Sequence, residues 1–137
     1  MDWEECNSKK LIKPAKIDES LIKSLIKSSS NKLESNNRLR LEGITASSKL
    51  GLVYDSLREI LEALAIKNGF KIYNHECFCS FLKEICKEEN FSAEFDEFRK
   101  LRNQINYYAK EISIGETEIL IKEMVELRNT ILTKFLS

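Results

Sequence analysis

The chain has 137 residues, of which 42% are hydrophobic and 32% charged, so one domain is expected, with a core that needs no metal or disulfide staples. Four glycines and one proline argue against a many-turned β architecture and for long helices. Lys+Arg and Asp+Glu balance at 22 each, which removes an overall basic footprint for nucleic acid while leaving a local basic face open.

In chain order, residues 1–16 are polar, contain Pro14, and read as an N-terminal arm with a helical turn around Trp3. Residues 17–137 read as a single helical domain. Asp18 or Glu19 opens a first main helix carrying Leu21, Ile22, Leu25, Ile26 and Leu33, and Ser28-Ser29-Ser30-Asn31 makes its middle prone to fraying. After Gly43 and Thr45, the residues Leu50, Val53, Tyr54, Leu57, Ile60, Leu61 and Leu64 form the clearest apolar stripe, closed by Asn68-Gly69. Asn74 caps a third helix running to about Lys87, with Phe78, Phe81, Leu82 and Ile85 inside. Ser92 is expected to cap a fourth, with Phe95, Phe98, Leu101, Ile105, Tyr108 and Ile112 as its apolar stripe. Ser113-Ile114-Gly115-Glu116 has the form of a capping box before a last helix of Leu120, Met124, Leu127, Ile131 and Phe135. The fold class is therefore all-α, a four- or five-helix up-and-down antiparallel bundle with short connections.

No apolar run approaches the ~18 residues of a membrane span. The opening Met1-Asp2-Trp3-Glu4-Glu5 lacks the apolar stretch of an export signal, so a cytoplasmic protein is expected. Of the cysteines, Cys77, Cys79 and Cys86 share one predicted helix and Cys6 stands alone, which reads as reduced thiols rather than a disulfide framework. His75 and Cys79 share a helix face, but Cys77 points away and Cys86 lies about 10 Å further along the axis. Four ligands do not converge, so no metal and no cofactor is expected. Phosphate-loop and serine-hydrolase motifs are absent.

The chemistry-bearing segment is Leu101-Arg102-Asn103-Gln104-Ile105-Asn106-Tyr107-Tyr108. On a helical wheel, Phe98, Leu101, Ile105, Tyr108 and Ile112 face the core. Arg99, Arg102, Asn103, Asn106, Tyr107 and Lys110 face away. Guanidinium forks, amides and an aromatic hydroxyl on one face suit a phosphate-bearing ligand. On the second helix, Asp55, Arg58 and Glu59 have ordinary surface spacings, and Arg58 is a second candidate for the same site.

This segment resembles the R-N-x-x-x-H signature of the HEPN family, with Tyr107 in the histidine's place. Tyr54-Asp55-Ser56-Leu57-Arg58-Glu59, Ala63-Leu64-Ala65, Gly69-Phe70-Lys71 and Asn74-His75-Glu76 are similar to the helix-two region of prokaryotic members. The resemblance covers roughly residues 18–136. It implies a homodimer with two motif helices across a composite cleft. Many members are metal-independent ribonucleases, including toxins of toxin–antitoxin pairs, and some pair with a nucleotidyltransferase. Carried over, Arg102 stabilises phosphate, Asn103 orients the site and Tyr107 stands where the base would be. Tyrosine as a residue type titrates at about 10, far from neutrality, and makes a poor general base. The expectation is thus an RNA- or nucleotide-binding protein, catalytically reduced or inactive, with Arg99, Arg102, Asn106, Lys110 and Arg58 as ligand contacts. The alternatives are an active endoribonuclease or toxin, and a structural or partner-binding subunit.

Overall fold

A computed structural model describes residues 1–137. The elements are α1 (Trp3–Ser8), β1 (Ile12–Pro14), α2 (Glu19–Arg38), α3 (Ala46–Lys67), β2 (Phe70–Ile72), α4 (His75–Ser80), α5 (Glu89–Tyr108) and α6 (Ile114–Ile131). Helix α4 runs on as a π-helical turn over Phe81–Ile85, and α6 over Leu132–Leu136. The chain is an all-α bundle of four long helices, with two short ones and a single two-stranded ladder. None of its helices is long and apolar enough to cross a membrane.

Helix α3 is the centre. Its stripe is buried as its spacing predicts, and towards its C-terminus Ala63, Leu64, Ala65 and Ile66 are buried on successive sides. A helix that is apolar all round must be surrounded. Helices α2 and α6 pack along it, β2 lies at its C-terminal end, and α5 meets it through Tyr54 and Leu50. Asn68-Gly69 ends it, with Gly69 at φ +84°. The hydroxyl of Ser113 caps α6 by accepting from the Glu116 N–H at 3.1 Å.

Three expectations about the long helices change. The serine-rich middle of α2 does not fray, because its polar groups have tertiary work. Ser29 Oγ donates to the Ser56 carbonyl at 2.7 Å, and Arg128 of α6 donates to Ser29 Oγ at 2.8 Å and to Ser30 Oγ at 3.1 Å. Ser92 is not a cap. It lies inside α5, which starts at Glu89, and its hydroxyl donates to the Cys79 carbonyl at 2.7 Å. Finally, α5 stops at Tyr108, with Ala109 left-handed at φ 50°. Lys110 and Ile112 are therefore off the helix, and Tyr108 is 81% exposed rather than in the core. The wheel fails there because α4 packs against the first half of α5 only, through Phe78–Phe95 and Cys79–Ser92.

The first sixteen residues are packed rather than free. Strand β1 pairs antiparallel with β2, Ile12 opposite Ile72 and Pro14 opposite Phe70. Trp3 sits edge-on to Phe70 at 5.0 Å and near Phe81 at 5.9 Å. Three-residue strands have too few positions to show a period of two, so no pattern announced them. The reading of four reduced thiols is corrected: Cys6 and Cys77, both fully buried, form a disulfide between α1 and α4. Cys79 and Cys86 remain free, and burial pushes their thiols up to about 12 and about 11.

Thiol titration of the denatured, unreduced protein should therefore count two free cysteines, and four after reduction. A closed loop of this length constrains the unfolded chain, so reduction should cost roughly 2–5 kcal/mol in a denaturant melt. A count of four without reductant would overturn the pairing.

Candidate phosphate-binding site on the fifth helix

Helix α5 is anchored by buried Phe95 and Phe98, and Arg102, two turns beyond Phe95, lies on the same side of the helix. Phe95 and Arg102 are seven residues apart, about 10 Å along a helix, which leaves room for one ring between them. Tyr54 of α3 fills that space. Its ring stacks on Phe95 at 5.7 Å, and the Arg102 guanidinium carbon lies 4.7 Å from its centroid. Such a cation–π contact holds a guanidinium flat at little entropic cost. Arg102 Nη2 donates to Asp55 Oδ1 at 3.2 Å, while Arg102 Nε is buried without a partner.

The Tyr54 hydroxyl shares a 3.0 Å hydrogen bond with Nδ1 of His75, the only histidine of the chain. Asn74 caps α4 by accepting from the Glu76 N–H, which places His75 as the first residue of that helix. Burial is the main reason the His75 pKa is lowered, with Arg58 and Arg102 adding to it against Asp55 and Glu62. Burial also raises the Tyr54 hydroxyl well above its usual range, so it stays protonated.

Arg58 extends the cluster, with Nη1 on Glu62 Oε2 at 2.8 Å and Nε 3.9 Å from Asp55. Arg99 points elsewhere, donating twice to Asp96 Oδ1 at 2.7 and 3.1 Å, beside Cys79. For Asp96, burial opposes ionisation, but hydrogen bonds from Lys100 and Arg99 prevail and hold its carboxyl below the usual range.

The sequence-derived candidates thus separate. Arg102 and Arg58 come together around Asp55. Asn103 is half-buried on the same helix, and Asn106 is exposed one turn on. Tyr107 is 77% exposed, and Lys110 lies beyond the helix end with its ammonium on Gln104 Oε1 at 3.1 Å. Tyr54 and His75 belong to the Arg102 cluster and were not among the candidates. A buried tyrosine needs a partner for its hydroxyl, which is a signal, but the stripe alone does not say which partner. No three His, Cys, Asp or Glu side chains are grouped to hold a metal ion.

Beyond Arg102 a small cleft of about 20 Å³, room for about one water, lies between α3 and α5; Leu50, Gly51, Phe98, Leu101, Ile105 and Met124 line it, with Ser47 and Asn106 exposed beside it. No protein-family model matches this chain, and none of the curated proteins is significantly similar to it.

Chemically, the cluster holds a flat, oriented guanidinium whose carboxylate partner an anion must displace or share. The lowered His75 pKa makes a stability prediction. The unfolded chain binds a proton near pH 6.5, while the folded chain resists it. The contribution is present above that pH and is lost as pH falls towards the folded value. Urea melts from pH 7 to 5 should show wild-type stability falling and His75→Gln falling less. Parallel curves would remove His75 from the account.

Proposed function

We propose that this chain is a HEPN-like RNA- or nucleotide-binding protein that holds a phosphate-bearing ligand through Arg102 and turns it over slowly or not at all. The observation that carries the reading is the Arg102 guanidinium, fixed over Tyr54 and bonded to Asp55, on the helix face that also bears Asn103 and Asn106. A preoriented fork suits phosphate because little side-chain freedom is lost on binding. Reduced turnover is supported by Tyr107, which stands in the place of the signature's histidine and lies largely in solvent. Pairing of two copies through α5 belongs to the same proposal, as does a nucleotidyltransferase partner, and exposed Tyr107 and Tyr108 supply aromatic surface for either. Residence in the cytoplasm is part of it too. There the Cys6–Cys77 bridge depends on burial to escape cellular thiols.

A second reading, a metal-independent endoribonuclease or toxin, is favoured by one observation. The sole histidine meets the same tyrosine as Arg102. A third, a structural or partner-binding subunit, is favoured by the carboxylates that already pair Arg58, Arg99 and Arg102.

Fluorescence anisotropy with labelled RNA and a gel of total RNA separate these. Under the first reading the wild type binds RNA, Arg102→Ala weakens binding about tenfold or more, Arg102→Lys recovers only part of it, and no cleavage products accumulate. Cleavage that disappears in both Arg102→Ala and His75→Gln would move the conclusion to the endoribonuclease. Absence of any RNA or nucleotide binding would leave the partner-binding subunit.

A further inference from the structure

We propose that a single-stranded RNA held at Arg102 runs on across Arg58 to the outer face of the β1–β2 ladder, where Lys71 and Lys13 take further phosphates and Tyr73 takes a base; this rests on the RNA-binding reading above and narrows its ligand from a nucleotide to a strand.

The starting point is the ladder. Lys13 lies directly opposite Lys71, and like charges facing each other across two strands are unfavourable. Lys71 has Glu62 3.7 Å away. Lys13 has no carboxylate partner and stands exposed, its ammonium 5.7 Å from the centre of the Tyr73 ring. Ile12 and Ile72 are buried, so the alternation of a strand turns Lys13, Lys71 and Tyr73 to the outer side. Tyr73 is 55% exposed there, although a tyrosine beside the core could have been covered.

An unbroken row of charges joins this face to the Arg102 site. Asp55, Arg58 and Glu62 are spaced three and four apart, which sets them on one face of α3 over about 10 Å. Arg102 lies 3.2 Å from Asp55, Arg58 lies 3.9 Å from Asp55 and 2.8 Å from Glu62, and Glu62 reaches Lys71. Each carboxylate therefore serves two cations. With Lys13 at the end, four cations share two carboxylates, and the row keeps a surplus of two positive charges. The backbone ties the same two ends together, because His75, two residues after Tyr73, meets Tyr54 beneath Arg102.

These features fit a strand better than a single nucleotide. One phosphate cannot touch both Arg102 and Lys13, since α3 alone separates the ends of the row by about 10 Å. A chain of phosphates can. The whole protein is neutral, so the local surplus supplies the charge complementarity, and an exposed ring supplies a stacking surface for an unpaired base.

The test measures anisotropy of the full protein with a labelled adenosine dinucleotide and with a longer labelled oligoadenylate. The wild type should bind the longer strand about tenfold more tightly. Lys13→Glu should erase that advantage with its thermal midpoint not lowered, because it sets opposite charges across the ladder. Lys13→Ala should flatten the slope of log affinity against log salt by about 0.7, the share of one phosphate on a single strand. Tyr73→Ala should weaken the longer strand about tenfold and leave the dinucleotide as it was. Equal binding of the two lengths by the wild type, or an unchanged length advantage in Lys13→Glu or Tyr73→Ala, would overturn the row while leaving binding at Arg102 in place. Failure of the wild type to bind either RNA, or full affinity in Arg102→Ala, would sink the RNA reading and this proposal with it.

Discussion

Helix α3 is largely enclosed by the other elements, and its buried polar groups cannot turn to water. Each of these has to find a partner on a neighbour or carry a desolvation cost of roughly 1–3 kcal/mol. Lys49 donates to the Asn36 and Leu39 carbonyls, closing the C-terminus of α2. Glu59 takes Lys32 of α2 at 2.7 Å, and the Ser56 carbonyl takes Ser29, which Arg128 of α6 holds in turn. The Tyr54 hydroxyl meets His75 of α4, and its ring receives Arg102 of α5. Apolar burial draws these helices together without direction, and the polar groups of α3 decide how each is set against it.

The candidate site is one outcome of that rule rather than an addition to the fold. Arg102 is flat and oriented because the ring it covers is itself locked, stacked on Phe95 and bonded through its hydroxyl. The same packing withholds the arginine's charge, since Asp55 accepts from it. A ligand gains from preorganisation and loses to competition. That balance favours selective, modest binding over strong electrostatic capture.

Much of this architecture was legible in the residues. The stripe of α3, its Asn68-Gly69 stop, the Asn74 cap and the Ser113 box are local signals, and each appears where its chemistry puts it. What stayed hidden depends on partners far along the chain. Ser28 to Asn31 are helical because of Ser56 and Arg128, Ser92 is drawn inward by Cys79, and Tyr108 is exposed because α4 has ended. In the site, Arg102 and Arg58 announce themselves as cations on polar faces. Their link to Tyr54 and His75 is invisible, because a tyrosine in an apolar stripe and a histidine after a cap look like ordinary structural residues. Cysteine spacing was misleading for the same reason: Cys77 belongs with Cys6, not with its neighbours on α4.

The ladder of β1 with β2 and the bridge from Cys6 to Cys77 have a consequence for synthesis. Residues 1–16 leave the ribosome before their strand partner and cysteine partner, which lie at Phe70–Ile72 and Cys77. Helices α2 and α3 can pair while translation continues, because they are adjacent in sequence. The opening segment must wait, with Trp3 and Cys6 uncovered, until α4 has emerged. This segment is thus made well before it can be placed, and a growing chain presents its aromatic and thiol groups to whatever chaperone or oxidant meets them first.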